Sequence, residues 1–464
     1  MSHRLHLYDV VDKAPVVLDI GAYYTKCGFS GEGCPRAIFP TNLRTPSGLT
    51  LPWYVHLGES SPELIVYSDA FETLLQSIYY VHLQVTPSNR DVIVCENLFF
   101  PNAFRRILIH ILFEKFHVPS LSFLPNQLLP LIPLQKKSAL IVDVGHSQVT
   151  VLPVVEGYGV LKSMVSSQCG DAKVHEKILY GLESSARVVQ GTQVNKRIFQ
   201  GAILKELKVF PVHLGQIRIR LAHCPTEKPH LKQVRFFLEK YSKGPYPHPS
   251  EWPFQEDPSS PAAEPTPSVS SAPPVKRISK EDLLSFPLSI DSEFQFPKSV
   301  VEDAFDVLFN DPETSVCHLV LDAILKSDVD LRLTLIQNIV LVGGGFASPG
   351  VQKRFYFELA RALVKDPAFS SISRLVYEVG ILNLRPFRPE SIAWVGGSIS
   401  GATGKVKAMT IEEYKAISAS TVGSNVKQFE IPMDSFPNWF TCVDDSGKKN
   451  GMRIFDEVKE DERY

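Results

Sequence analysis

The chain has 464 residues, 44% hydrophobic and 21% charged, with 48 Lys plus Arg against 50 Asp plus Glu. That length exceeds the usual domain of about 150 residues, so more than one core is expected; the composition excludes collagen-like and wholly disordered classes. The near-neutral balance offers no electrostatic footprint for nucleic acid and no solvating acidic tail. The opening MSHRLHLYDVVDKAPVV lacks the apolar region of a secretory signal, and the greasiest stretch, Leu128–Leu134, contains two prolines and is too short to span a bilayer. Seven dispersed cysteines without a CxxC pair read as free thiols, not as a disulfide frame or a zinc site. A soluble cytoplasmic protein without nucleic-acid partners or direct membrane insertion is expected.

In chain order, VVLDI (16–20) predicts a buried strand, and Phe71, Leu74, Leu75 and Ile78 keep helical spacing. VIVCE (92–96) predicts a strand, and Phe104, Ile107, Leu108 and Ile111 a second helix. ALIVD (139–143) and VTVLPVV (149–155) follow as strands. From Gly244 to Pro274 the chain holds ten Pro and six Ser, too little apolar surface to offset ordering entropy. This predicts a disordered insertion within a folded domain, a linker between domains being the other reading. Phe305 with Leu308 marks a helix, NIVLVG (338–343) a strand, and Phe355 with Leu359 another helix. The tail from about Ser420 is irregular and ends in DEVKEDERY. Strands alternating with helices favour an α/β fold with a mixed or parallel sheet.

One local design occurs twice. VVLDIGAYYTKCGF (16–29) and ALIVDVGHSQVTVLPV (139–154) each run strand, Asp, any residue, Gly, turn, strand. A third glycine turn, LVGGGFASPG (341–350), leads into a helical stretch. Glycine lets backbone N–H groups approach an anion, and such amides form phosphate-binding concavities. Asp19 and Asp143, one per hairpin, would face each other across a cleft and hold hydrated Mg²⁺ on the phosphates. The triple-glycine turn suits the sugar or α-phosphate side of a nucleotide. A strand ending in Asp-x-Gly is by itself most often an ordinary hairpin; the matched pair followed by VGGG describes a two-lobed ATP-binding fold.

KCGFSGEGCPRAIFP (26–40), VVEGY (154–158), SDVDLRLTLIQNIVLVGG (327–344), IAWVGGSI (392–399) and IEEY (411–414) closely resemble strings of the actins, and the chain is identified as a member of the actin-related proteins from about 14 to 415. The resemblance implies an actin-like ATPase fold, with duplicated ribonuclease-H-like lobes around a nucleotide cleft. Lobe I would comprise 1–133 plus 391–464 and lobe II 134–390, with the insertion in lobe II. It implies cofactor contacts at Asp19, Gly21, Lys26, Asp143, Gly145, Gly170, Lys205, Glu206, Gly343, Gly344 and Gly345. The cofactor would be ATP or ADP with Mg²⁺, the metal near Asp19 and Asp143 through water.

The departures from actin bear on function. Ala22 and Tyr23 stand where the family keeps Ser and Gly in the first phosphate loop, and His146 and Ser147 replace an acid and a Gly in the second. The Gln that positions attacking water falls at Asn126 or Gln127, the adenine-packing Lys at Glu390 and a nearby aromatic at Ser348. These changes imply nucleotide held structurally with little or no hydrolysis, a degenerate cleft being the alternative. The outer subdomain, about 41–68, is shorter than in actin, whereas the barbed-face strings persist. A head-to-tail filament needs two complementary faces, so one retained face implies a terminal cap. The pattern resembles the actin-related branch at the pointed end of dynactin, implying partners in its filament and other pointed-end subunits, no homo-filament, and a place in the cytoplasm and cytoskeleton. The aromatic tail residues Phe436, Trp439 and Phe440 would either meet partners or fold back on the core. A subunit of a nuclear chromatin-remodelling complex is the main alternative; a sugar-kinase-type enzyme would need a general base that the hairpin Asp residues do not supply.

Overall fold

A computed structural model of the chain describes residues 14–52, 63–185, 187–190, 193–195, 224–226, 228–241, 283–289, 292–311, 313–404 and 406–421. β1 (Val16–Ile20) and β2 (Tyr24–Phe29) form an antiparallel hairpin that sets Asp19 opposite Lys26, and β3 (Ala37–Pro40) extends it. The two-residue strands β4 (Leu43–Arg44) and β5 (Thr50–Leu51) pair only with each other. β6 (Val92–Glu96) runs parallel to β1, and β7 (Ser120–Pro125) parallel to β6. A second sheet opens the same way: β8 (Ala139–Val144) and β9 (Val149–Val155) make an antiparallel hairpin, with β10 (Tyr158–Gly159) and β11 (Val165–Ser167) on β9. β12 (Arg187–Gln190), β13 (Gln193–Asn195), β14 (Leu283–Ser289) and β15 (Ser292–Pro297) form an antiparallel sheet in the order β13-β12-β15-β14. β16 (Ile339–Val342) then runs parallel to β8, and β17 (Met409–Thr410) completes the first sheet against β7.

The sequence explains the sheet centres. β1, β6 and β8 are β-branched runs with both faces covered, as strands with parallel neighbours require, and every residue of β1 and β6 is buried. Helix α1 (Glu63–Gln76) continues as a π-helical turn to Leu83, and α2 (Asn102–His110) likewise to Lys115. Their predicted stripes, Phe71–Ile78 and Phe104–Ile111, join the core of the first sheet. Leu43, Leu64 and Tyr67 belong to that same core, so the described part of the outer segment is built onto the sheet. The segment around Leu128 and Leu131 packs with Ala139, Ile141, Val340 and Ile392 between the two sheets.

In the second half, α3 (Asp171–Ser185), α4 (Pro229–Lys240), α5 (Val316–Lys326), α6 (Val329–Gln337) and α7 (Val351–Lys365) surround the second sheet and its extension. Phe305 and Leu308, expected on a helix, lie in a 3-10 turn at Asp303–Leu308. A three-residue repeat puts both on one face there. The turn's polar side meets charges: Asp306 pairs with Lys228 and, at 2.7 Å, with the fully buried Arg354 of α7. Glu358 completes the network with Arg354 and, at 3.0 Å, with His230 of α4.

α8 (Ile392–Ala402) returns the chain to the first sheet, where Trp394 donates its indole N–H to the Val17 carbonyl at 3.0 Å. A Cβ on Gly396 would lie 2.1 Å from the Leu129 carbonyl oxygen, and one on Gly397 2.6 Å from Cys95 Sγ, so only glycine permits this approach. α9 (Ile411–Thr421) follows and stacks Tyr414 on Phe113. The expected start of an irregular tail at about Ser420 meets the last turn of this helix. The insertion 244–274, residues 422–464 with Phe436, Trp439 and Phe440, and the segment 53–62 lie outside the described residues. No described helix is long and apolar enough to cross a membrane. Six of the cysteines are described, all as free thiols.

Candidate nucleotide cleft

Both hairpin turns are closed by the same backbone bond. Gly21 N–H donates to the Tyr24 carbonyl at 3.0 Å, and Gly145 N–H to the Gln148 carbonyl at 3.0 Å. The two turns and the β16–α7 turn converge on a cavity of about 620 Å³, lined by Asp19, Gly21, Lys26, Asp143, Gly145, Gly343 and Gly344 among others. That size is typical of a small-ligand site. Gly170 and Gly345 stand behind this lining: a Cβ on Gly170 would meet Gln148 N and His146 O at 2.5 Å, and one on Gly345 would meet Val144 Cγ1 at 2.1 Å. Gly343, at φ +93°, adopts a conformation that side-chain-bearing residues resist, and its Cβ would lie 2.4 Å from the Val144 carbonyl. Lys205 and Glu206 lie outside the described residues.

The electrostatics set the hairpin carboxylates apart. Asp19 is bound by Lys26 Nζ at 2.6 Å. Asp143 is pushed up to about 6 by burial, against the attraction of Lys26 and with the help of Asp19. A buried carboxylate held above its ordinary range wants a cation beside it. Farther back, burial raises Glu96 to about 7 although Arg105 lies 3.5 Å away. Adenine nucleotide with Mg²⁺, which the family implies, fits the glycine cradles, Lys26 and the Asp19–Asp143 pair. It fits less well where Tyr23 and His146 lie.

Those two residues meet. The Tyr23 ring stacks on His146 with centroids 4.5 Å apart and also lies 5.2 Å from the His175 ring. Gln148 Nε2 donates to Asn97 Oδ1 at 3.4 Å, a second link between the halves. Ala22, Ser147, Ser348 and Glu390 line the cavity, so the departures from actin are concentrated on its wall. Asn126 also lines it, whereas Gln127 is 1% exposed and accepts from Leu98 N–H at 3.3 Å. Of the two residues left open from sequence, Asn126 therefore faces the cleft.

Sequence reasoning missed Asp171 and His175. Both line the cavity from the first two turns of α3. The available signal was their four-residue spacing directly after Gly170, which puts them on one helix face.

The Actin family model matches residues 11–202 and 289–427. A Dictyostelium discoideum protein named actin-related protein 10 is 27% identical over 441 residues, covering 83% of this chain and 82% of its own. A Neurospora crassa actin-like protein is 24% identical over 434 residues, covering 87% and 95%. An Arabidopsis thaliana actin-related protein 4 is 22% identical over 480 residues, covering 90% and 99%. With a matching family model across most of its length and an actin-like α/β fold around the cleft, the chain belongs to the actin family.

Proposed function

We propose that the chain is a non-polymerising structural subunit of the actin-related protein 10 type (also numbered 11). It caps the pointed end of dynactin's actin-like filament, helps anchor the other pointed-end subunits and so supports dynein-driven transport along microtubules. ATP or ADP with Mg²⁺ is held as a structural ligand, with little or no turnover. The observation that carries this reading is the Tyr23–His146 stack at 4.5 Å between the two phosphate turns. Ala22 lacks the hydroxyl and His146 the carboxylate that serve hydrolysis in actin, and the Tyr23 ring fills a glycine position beside them, while Asp19, Lys26 and Asp143 still line the cavity. Loss of chemistry with retention of the cradle suits a cofactor that stabilises the closed two-lobed state by mass action.

The capping part draws support from the likeness to the Dictyostelium protein and from the outer segment, whose described remainder is the β4–β5 pair and α1. A subunit with one filament face joins an end and stops growth. The likeness to proteins named actin-related protein 4 keeps a second reading in view, a nuclear chromatin-remodelling subunit. Purification of the native complex, followed by mapping of the chain within it, separates the two. One copy at a filament terminus among dynactin subunits is expected. Copies at interior positions, or copurifying chromatin remodellers, would overturn the assignment.

A further inference from the structure

We propose that His146, Asp171 and His175 form a binding site for a first-row transition-metal dication of the zinc class, separate from the Mg²⁺ position at Asp19 and Asp143. One ligand atom from each residue lies within 4.8 Å of the other two. Plane geometry then puts a point within about 2.8 Å of all three, a fraction of an ångström from the 2.0–2.2 Å of zinc–nitrogen and zinc–oxygen bonds. Two imidazoles and one carboxylate favour zinc, copper, iron or nickel over the oxygen-seeking Mg²⁺.

The ligands are held by backbone on both sides. Asp171 and His175 are one helical turn apart on α3, with Asp171 Oδ2 and His175 Nε2 3.6 Å apart, and they are 4% and 6% exposed. The turn that carries His146 is tied to the start of that helix: Asp171 N–H donates to the Gly145 carbonyl at 2.9 Å and Ala172 N–H to the His146 carbonyl at 2.7 Å. Gly170 permits that approach, since a Cβ would strike the same turn. The chelate is therefore assembled by folding, and binding asks only for small rotations of side chains. All three residues line the cavity, so water can supply the remaining coordination, and Tyr23 lies over the imidazoles as a hydrophobic cover. Metal here would clamp the second phosphate turn to α3. The ordinary alternative is a His–Asp pair within a helix with a third residue nearby.

The full chain, treated with chelator and freed of nucleotide, is titrated with Zn²⁺ by calorimetry and with Co²⁺ by visible absorption. One tight equivalent is expected, with the intense visible bands of low-coordinate Co²⁺. His146→Gln, Asp171→Asn and His175→Gln should each weaken that equivalent at least tenfold. His318→Gln, which alters the other described His–Asp pair outside the cavity (His318–Asp366, 3.0 Å), and Cys34→Ser, which removes an exposed thiol, should leave it intact. Melting of each variant in chelator confirms that it is folded; His146→Gln, at a partly exposed turn position, serves if the α3 variants are not. Absence of a tight equivalent, or one that persists in the His146→Gln protein, would overturn the site. The readouts use no nucleotide, so they stand or fall apart from the capping assignment.

Discussion

Asp143→Asn should change stability in opposite directions with and without nucleotide. Burial pushes the Asp143 carboxyl from its ordinary 3.8 up to about 6. The folded protein thus binds this proton more tightly than the unfolded chain does. The group's contribution is most favourable below the unfolded value and is lost as pH rises through 6. About two pH units at 1.36 kcal/mol each make the ionised carboxylate cost the ligand-free protein about 3 kcal/mol above pH 7. Asparagine keeps the shape without the charge, so the ligand-free variant should unfold at higher denaturant than wild type at pH 7.5. The gap should shrink as pH is lowered from 6 towards 4. With Mg-ATP at a thousandfold excess over Kd the order reverses, because wild type gains roughly 4.1 kcal/mol, more than the deficit of about 3 kcal/mol, and the variant, lacking the metal-facing charge, gains much less. Denaturant titrations at two pH values, each with and without Mg-ATP, measure all four corners. A ligand-free variant less stable than wild type, or one with the full nucleotide-dependent gain, would refute the reasoning.

Tyr23→Ser removes the ring pair across the cleft; at about 0.5–1.5 kcal/mol for such a pair, release of a fluorescent nucleotide should speed up by roughly 2- to 10-fold in stopped flow. Trp394→Phe removes the indole donor to the buried Val17 carbonyl and should cost about 0.5–1.5 kcal/mol in denaturant unfolding. Arg354→Met removes the buried partner shared by Asp306 and Glu358, which keep Lys228 and His230, and should cost about 1–3 kcal/mol, part of it regained when Glu358→Leu is added. Gly345→Val, driven into Val144, should abolish nucleotide binding or soluble expression, read by the yield of folded protein.

Much of the cleft was legible because backbone approach leaves a mark in sequence. A glycine two residues after a strand-end Asp, occurring twice, located both turns, and the structure gives them the same closing bond. Strand cores were equally legible, since β1, β6 and β8 are apolar runs interrupted only by Asp19, Glu96 and Asp143. What one chain does not display is which side chains meet across a gap. Tyr23 and His146 are separated by more than a hundred positions, and nothing in either local pattern announces a stack. Asn126 and Gln127 are adjacent and chemically alike; only the fold decides that one faces the cavity and the other the interior. The 3-10 turn at Asp303–Leu308 escaped because two apolar residues three apart satisfy either helix type.

The return of α8 and β17 to the first sheet bears on the order of events during synthesis. Val17 waits for the indole of Trp394, and β7 for the pairing of Met409, until the ribosome has made the whole of the second half. Between Pro133 and Ile392 lie some 260 residues, roughly 15–50 s of translation at about 5–20 residues per second. Throughout that interval the β1–β6 face that α8 will cover, including Val17, Ile93 and Cys95, has Leu124, Leu129 and Ile132 of its cluster but lacks Trp394 and Val395. The newborn first half is therefore a sticky, half-roofed sheet whose safe passage depends on something shielding that face until the last helix arrives.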